Sequence, residues 1–497
     1  MEKELLDVTK KSGIVFFGGL TANLLSLVFN LLVARFVGAK IYGQFTYIFT
    51  FVSFLPAIGA LGFNSGLVYS IPKLVNNGKL KERNSLIGFC FLSVACLSTL
   101  LALGVFWKSN LIASLLLNKR ELADLLKVLA PLSVILAFTP VMNGLFTGTG
   151  HIKEYVLVQN IILPAVKTVT VLVLALLGFK LWGLVAATYI ATACGLLILI
   201  WNIKSLGLFA RVSWKYRIEY KKLLVFSFPL MLAAILIFIN NRINTLMIGY
   251  YLPAQQVGIY NIAWRVGWTS VFILNVFTSM FAPMISTLYH RGEIQKLGQL
   301  FKTITKWIVA GNLIVLAIVL LFSVEIMRIF GKEFINGSTA LIIITIGQVA
   351  NAGTGSAGTI NTMTGHSMYE LYCNLLILIL GAGLNYFLIP VYGISGAAVT
   401  SLITIGTINI IRLILVYRDH HIHPYSWSYF KVIGSCALSY FFIWGLKSLI
   451  HLNWFLGLIV FSCLYVVLFI IFNLILGLSD DDRLIINKVI AKLKRAS

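Results

Sequence analysis

The sequence predicts an all-α polytopic membrane protein with about fourteen membrane-spanning helices. Of the 497 residues, 59% are hydrophobic and only 11% are charged, and the mean hydropathy is +0.94. A soluble domain of ordinary composition carries about 25% charged residues. The apolar residues form continuous runs of about 20, the length of an α-helix that crosses the hydrocarbon core. Because these runs do not alternate with a period of two, helices and not a β-barrel are predicted.

Charged residues and clusters of glycine, proline or asparagine separate the apolar runs from one another. An even number of spans places both ends of the chain on the same side of the membrane. The predicted spans are 13–35, 43–66, 86–107, 126–149, 155–177, 183–204, 222–250, 257–284, 302–323, 338–361, 370–390, 394–417, 430–450 and 453–475.

The positive charges are distributed unevenly between the two sides of the predicted membrane. Most of the 39 lysine and arginine residues fall in the two tails and in alternate loops, whereas the other loops hold few. This is the positive-inside pattern, and it predicts a multi-pass protein of the cytoplasmic (inner) membrane with both termini in the cytoplasm. The net charge of +23 therefore indicates topology and attraction to anionic lipids. No nucleic acid partner is expected, because no basic domain stands outside the membrane.

Cysteine and histidine residues do not predict a metal centre. All six cysteines fall inside apolar spans, where they are interpreted as small buried hydrophobic residues, and no zinc-binding spacing is present. His420, His421 and His423 cluster in a loop after span 12. A metal site there is an open alternative, but a fourth candidate ligand is missing from the nearby sequence.

Two pairs of landmarks share one spacing, which indicates an internal duplication. The turns TGTGHIKEY around His151 and TMTGHSMYE around His366 are 215 residues apart, and so are Gly43 and Gly258. Six spans are therefore predicted to be repeated in tandem.

The repeat predicts how the chain is divided. Residues 1–212 form an N-lobe with spans 1–6, residues 213–417 form a C-lobe with spans 7–12, and residues 418–497 hold two extra helices and a cytoplasmic tail. Because six is even, both lobes enter from the same side, so a pseudo-twofold axis along the membrane normal relates them.

The first two spans of each predicted lobe carry polar residues on one helical face. A single polar residue in a span usually binds a neighbouring helix. Matched polar faces on four helices predict a water-accessible cavity between the lobes. The residues are Ser26 and Asn30 in span 1, Thr46, Thr50 and Ser53 in span 2, Asn241 and Thr245 in span 7, and Asn261, Arg265 and Trp268 in span 8.

Three cations fall well inside predicted spans, namely Lys167, Arg242 and Arg265. Each costs about 2.5–3.5 kcal/mol at the centre of a spanning helix, so each requires a reason. Arg35 and Arg412 lie closer to span ends, where a long side chain can reach the interface. Arg412 is interpreted as such an anchor of topology.

The acidic residues fall in loops, in tails or at helix ends. No carboxylate is therefore expected at the depth of the three cations. An anionic substrate or a lipid phosphate is the simplest partner, because arginine binds phosphate through two parallel hydrogen bonds. A pump for cationic drugs is expected to show the opposite pattern, with buried Asp or Glu.

Three features carry a resemblance to a known family: the N-terminal pattern GGLTANLLSLVFNLLVARFVGAKIYGQFTY, the two TGH turns, and the basic loop before span 7. With the organisation of twice six spans plus two, the whole chain resembles the polysaccharide transporter (Wzx-type) flippases. These belong to the multidrug/oligosaccharidyl-lipid/polysaccharide exporter (MOP) superfamily.

The resemblance implies a flippase, and not an enzyme, that moves an undecaprenyl-pyrophosphate-linked oligosaccharide from the inner to the outer leaflet by alternating access. The cations would bind the pyrophosphate or anionic sugars, and amides and hydroxyls would bind the glycan. Expected partners are the lipid-linked glycan and anionic membrane lipids, with a glycan polymerase and glycosyltransferases as further candidates; no metal or cofactor is expected. The candidate substrate-binding residues are Arg35, Lys167, Arg242, Arg265, Asn30, Thr46, Thr50, Asn241, Asn244 and Asn261.

Two alternatives lie within the same superfamily. Lipid II flippases are similar in layout but tend to have an acid after the arginine of span 1, whereas Phe36 follows Arg35 here. A cation-coupled multidrug antiporter would need a deep carboxylate. A membrane enzyme would need catalytic carboxylates or histidines in a large loop or an aqueous domain, and the outer loop 107–125 carries only Glu121 and Asp124 as acids.

Overall fold

The computed structural model describes residues 2–208, 220–450 and 452–477. Within these ranges the secondary structure consists of helices, without strands, which confirms the predicted all-α membrane fold. Twelve of the helices described are long and apolar enough to cross a membrane, and a bent pair, Arg120–Leu129 with Leu132–Gly148, is a thirteenth candidate.

Nineteen α-helices follow one another along the described chain. They are α1 (Glu2–Val37), α2 (Ala39–Val52), α3 (Leu55–Gly59), α4 (Phe63–Asn76), α5 (Leu80–Trp107), α6 (Ser109–Leu111), α7 (Ala123–Leu129), α8 (Leu132–Gly148), α9 (Ile152–Leu157), α10 (Leu163–Leu176), α11 (Leu181–Ser205), α12 (Tyr220–Tyr251), α13 (Ala254–His290), α14 (Ile294–Phe330), α15 (Ser338–Gly353), α16 (Ala357–Met363), α17 (Ser367–His420), α18 (Ser428–Leu449) and α19 (Trp454–Ile475).

The longest helix, α17, is a hairpin of two spans. A straight helix of 54 residues would be about 80 Å long, far more than a bilayer is thick. The backbone leaves helical geometry at Gly393 (φ 60°, ψ −137°), and a Cβ added to Gly396 would overlap the carbonyl of Leu388. With this hairpin counted as two spans and the bent pair as one, the described helices are consistent with the fourteen predicted.

Helix α14 also breaks, at Phe322 (φ −137°, ψ 21°), and a lysine from α18 occupies the break. Lys447 Nζ donates to the carbonyl of Leu321 (2.8 Å) and to Glu325 Oε1 (2.9 Å). The same ammonium lies 4.4 Å from the centroid of the Phe322 ring. A kink frees backbone carbonyls that need donors in an apolar surrounding, and Lys447 supplies one.

The chain divides into two compact units, Met1–Asn261 and Ile262–Ser497. The core of the first unit packs α4, α5 and α8 around Phe63, Phe146 and their neighbours. In the second unit, one cluster surrounds Phe281 and Phe301. The predicted lobes 1–212 and 213–417, and the segment 418–497, stay a prediction.

Candidate functional site

In the first unit, Tyr42 joins two of the candidate residues. Its hydroxyl donates to Asn30 Oδ1 (2.6 Å) on α1 and lies 2.9 Å from Oδ1 of Asn261 on α13. The three side chains are no more than 3% exposed. Because buried polar groups must be hydrogen-bonded, this contact fixes α1, α2 and the start of α13 against one another.

Two glycines allow α2 and α13 to come close enough for this contact. A Cβ added to Gly43 would overlap the carbonyl of Ala254, and one added to Gly258 would overlap the carbonyl of Ala39. The two backbones therefore pack directly on each other. Gly43 and Gly258 are the same pair that the 215-residue spacing relates, so the related positions of the two predicted repeats meet here.

The hydroxyls of Thr50 on α2 and of Ser53, the residue after this helix, bond carbonyls of α2 itself. Thr50 Oγ1 donates to the carbonyl of Thr46 (2.7 Å), and Ser53 Oγ donates to that of Thr50 (2.9 Å). Thr46 and Thr50 are buried. Such bonds satisfy a hydroxyl inside an apolar region and favour local bending of the helix.

On α12, the candidate residues differ in their surroundings. Asn244 Nδ2 donates to the hydroxyl of Tyr260 on α13 (3.0 Å). Arg242 is half-buried, whereas Asn241 is exposed. Within one turn, the helix therefore carries a cation and two amides, of which Asn244 is bonded to Tyr260 and Asn241 is exposed.

Lys167 on α10 is surrounded by aromatic rings from α1 and α2. Its Nζ lies 4.7 Å from the ring centroid of Phe29, 5.3 Å from that of Phe49 and 5.8 Å from that of Phe45. Cation–π contacts contribute about 0.5–2 kcal/mol each. Three of them are comparable with the cost of about 2.5–3.5 kcal/mol for a cation inside a membrane helix. The fold can therefore hold this charge against α1 and α2.

The other two candidate cations lie apart from this cluster along the chain. Arg35 is exposed near the end of α1. Arg265 is half-buried on α13, in the second unit.

The second unit contains a polar chain that the sequence did not predict. Asn351 Nδ2 donates to Gln348 Oε1 (3.3 Å), and Asn351 Oδ1 accepts from Asn409 Nδ2 (2.8 Å). Arg412 Nη1 donates to Asn409 Oδ1 (3.4 Å). The chain therefore links α15 to the second arm of α17.

Arg412 ends this chain in an ion pair with Glu370. Its Nε donates to Glu370 Oε1 (3.0 Å), and its Nη2 bonds Oε2; the two side chains are 21% and 23% exposed. A Cβ added to Gly358 would lie 3.0 Å from Glu370 Oε1, so the pair is packed against α16. This partner of Arg412, which the folding back of α17 brings to it, was not anticipated from the sequence; the interpretation of Arg412 as an anchor of topology stays a prediction.

Sequence reasoning also missed Lys306 and Tyr42. Lys306 lies inside the predicted span 302–323 but was not singled out as a cation at depth; it is in α14 and 4% exposed. Tyr42 could have been found, because it lies four residues before Thr46 and so on the same helical face, one residue before the predicted span 43–66.

Comparisons with known proteins agree with this architecture. A family model described as polysaccharide biosynthesis protein matches residues 8–289, more than half of the chain. A second family model, MatE, matches residues 229–387.

Curated relatives match over part of their length. The chain is 27% identical over 224 residues to the probable low-salt glycan biosynthesis flippase Agl15 of Haloferax volcanii, covering 42% of this chain and 44% of that protein. It is 24% identical over 268 residues to the succinoglycan biosynthesis transport protein ExoT of Rhizobium meliloti, covering 53% of this chain and 50% of that protein. The chain thus spans half or less of the length of these relatives.

A solved structure of the lipid II flippase MurJ, in an inward closed conformation, is similar over almost the whole chain. The TM-score is 0.75 at 16% sequence identity, and the match covers 94% of this chain and 98% of that one. A likeness at this level of identity shows a shared fold.

Proposed function

Because the chain belongs to the polysaccharide biosynthesis protein family of the MOP superfamily, we propose that it is a flippase for a lipid-linked oligosaccharide. The cargo is an undecaprenyl-pyrophosphate-linked glycan repeat unit that moves from the inner to the outer leaflet of the cytoplasmic membrane. The observation that carries this proposal is Lys167, a cation inside a membrane helix that three phenylalanine rings of α1 and α2 surround.

The proposed site lies on α1, α2, α10, α12 and the start of α13. Lys167 and Arg242 bind the pyrophosphate or anionic sugars, with Arg35 and Arg265 as further cations along the path. A phosphate competes well for Lys167 because an ion pair at low dielectric is stronger than a cation–π contact.

The polar residues have two roles in this proposal. Asn241 is exposed and can accept sugar hydroxyls directly. Asn30, Asn244 and Asn261 are already bonded to tyrosines, and Thr50 to a carbonyl; with Thr46 they meet a glycan only when those contacts exchange. These hydrogen bonds must therefore break before the glycan can bind to the same side chains.

Alternating access follows from the contact of α2 with α13. The predicted topology puts the α1–α2 turn outside, so the packing of Gly43 on Gly258 closes the outer end. Outward release requires separation of these backbones and loss of the Tyr42 hydrogen bonds. Bending at prolines inside α8 and α12, Pro140 and Pro229, provides the flexibility.

The antiporter alternative has less support in the described residues. The MatE family model does match part of the chain. Extrusion of a cation, however, requires a carboxylate that is free to bind it. Glu370 is paired with Arg412, and Glu325 with Lys447. Glu154 Oε2 is buried without a hydrogen-bond partner among the described residues. It lies, however, in the first turn of α9, close to the first TGH turn and not deep in a span. Transport of lipid II, the other alternative, shares the pyrophosphate site and differs in the glycan.

The decisive experiment replaces Lys167 and Arg242. Each Ala variant is expected to reduce export of the surface glycan by at least about tenfold when introduced into cells from which the gene has been deleted, because a charge contact of roughly 1.4 kcal/mol or more is lost. Lys167→Arg should keep part of the activity because the charge remains.

Lys127 provides a matched control. It also makes a cation–π contact, with Phe106 at 5.9 Å, but it lies on α7 outside the proposed site. Lys127→Ala should export normally at equal membrane abundance. Normal glycan export by both Lys167→Ala and Arg242→Ala would contradict the proposal that these two cations bind the substrate.

A further inference from the structure

The second TGH turn lies in a cluster of ionisable groups that the proposed flippase site does not use. His366, at the start of α17, faces Asp419 at the end of the same hairpin, with Nε2 3.9 Å from Oδ2. Asp419 Oδ1 accepts from Arg418 Nε (2.8 Å). Its Oδ2 is buried and accepts no hydrogen bond from the residues that the structure describes.

Thr364 determines which nitrogen of His366 carries the proton in the neutral state. Its hydroxyl donates to the carbonyl of Ile360 (2.9 Å), so its lone pairs are left to accept. His366 Nδ1 at 3.3 Å and His420 Nε2 at 3.2 Å are the donors within reach. Neutral His366 therefore turns a bare Nε2 toward Asp419 Oδ2, an acceptor facing an acceptor.

We propose that His366 is a proton-binding site, and that its protonation ties the two ends of the α17 hairpin together. A proton on Nε2 converts the opposed acceptors into a charged donor and a carboxylate, which attract each other across the 3.9 Å separation and draw together into a hydrogen bond with Asp419 Oδ2. The two ends of the hairpin are then joined by an ion pair, and the contact is lost when the imidazole becomes neutral.

The neighbouring groups set how strongly the proton is held. Arg418 opposes the added charge, since it already bonds Asp419 and the hydroxyl of Tyr369. The ring of Tyr369 stacks on His366 with centroids 5.1 Å apart. His420 lies 6.1 Å from His366, and burial keeps the pKa of His420 below its usual value.

The cluster also reaches α13, which carries Arg265. The Tyr289 ring, one residue before the end of α13, contacts His420 edge-on at 5.4 Å, and the adjacent His290 Nδ1 bonds the carbonyl of Ser286 (2.7 Å). Protonation of His366 can therefore affect the contact between the ends of α13 and α17, through His420. The predicted topology places this cluster on the cytoplasmic side, where it would respond to cytoplasmic pH.

The first TGH turn lacks this arrangement and supplies the control. His151 Nδ1 is buried without a hydrogen-bond partner among the residues described. It precedes α9 as His366 precedes α17. His151→Gln therefore removes an equivalent imidazole without removing an ion pair.

The test measures backbone hydrogen exchange at residues 364–366 and 417–421 of the purified full chain in nanodiscs, between pH 5 and 8, the range in which imidazoles titrate. After correction for the intrinsic rate, exchange in the unaltered chain is expected to be about two- to fivefold slower at the low-pH end, as for partly exposed ion pairs. His366→Gln and Asp419→Asn should each abolish this difference, and the double variant should add nothing. His151→Gln should preserve it.

Two results would overturn the proposal. One is a pH difference that survives in His366→Gln or Asp419→Asn, which assigns the protonation to another group. The other is exchange that is independent of pH in the unaltered chain. If one variant fails to fold, the other still decides between these outcomes. Glycan export does not enter the measurement, so the result is independent of the proposed cargo.

Discussion

Tyr42 shows how a single side chain connects the packing of this protein to its proposed transport cycle. Its hydroxyl serves both Asn30 and Asn261, which the sequence singled out as ligands for sugar. A hydroxyl has one proton and can donate to one of the two oxygens at a time. A sugar hydroxyl can therefore donate to the side-chain oxygen of one asparagine while Tyr42 donates to that of the other, so that both buried oxygens keep a donor.

Removal of this hydroxyl is the sharpest prediction at the scale of one residue. Tyr42→Phe keeps the ring but leaves two buried amides without their shared partner, which should lower the free energy of unfolding by about 1–3 kcal/mol. Because the contact of α2 with α13 is weakened, cysteine reagents should label Ala254→Cys, at a buried position where α13 packs on Gly43, more readily from outside in this background.

Tyr47 supplies the comparison for that measurement. Its hydroxyl donates to the carbonyl of Leu117 (2.9 Å), and it is equally buried on the same helix. Tyr47→Phe should lower stability without increasing the labelling of Ala254→Cys. Equal labelling in the two backgrounds would show that Tyr42 does not hold the contact.

At the scale of the helix, hydropathy and the positions of glycine residues predicted most of the helices and one of the breaks between them. The apolar runs predicted the membrane helices, and the gap at 391–393 coincides with the break at Gly393. The kink at Phe322 was missed, because no proline or glycine marks it and the donor that stabilises it, Lys447, lies more than 120 residues away. Burial of Lys306 and the pairing of Arg412 with Glu370 were missed for the same reason.

The pair of Arg412 and Glu370 yields a prediction about the α17 hairpin. Arg412→Met leaves a half-buried carboxylate beside Gly358 and should lower the free energy of unfolding by about 1–3 kcal/mol. Arg412→Met combined with Glu370→Gln should recover much of this loss, because neither charge is then left unpaired. Thermal unfolding of the four members of this cycle measures the coupling; additive effects would contradict it.

At the scale of the whole molecule, the sequence identified the family and the side-chain types of the candidate site, but not their mutual contacts. Lys167 was expected to need an anion, whereas Phe29, Phe45 and Phe49 already stabilise it. That difference matters for transport. A transport site must bind an anion and then release it. The bound anion and the phenylalanine rings can stabilise Lys167 in turn, so that release of the anion does not leave the ammonium without a stabilising contact inside the membrane.

A cationic path of this kind predicts that the membrane potential drives the proposed transport. An inside-negative potential favours outward movement of an anion by about 2.3 kcal/mol per charge per 100 mV. In proteoliposomes with the purified chain and a lipid-linked oligosaccharide, a potassium diffusion potential should accelerate flipping at equal pH on both sides, whereas a pH gradient alone should not. Lys167→Ala should flip slowly under both conditions. Acceleration by the pH gradient with no response to potential would instead indicate proton antiport, and the ion-paired carboxylates Glu370 and Glu325 would then be the groups to replace first.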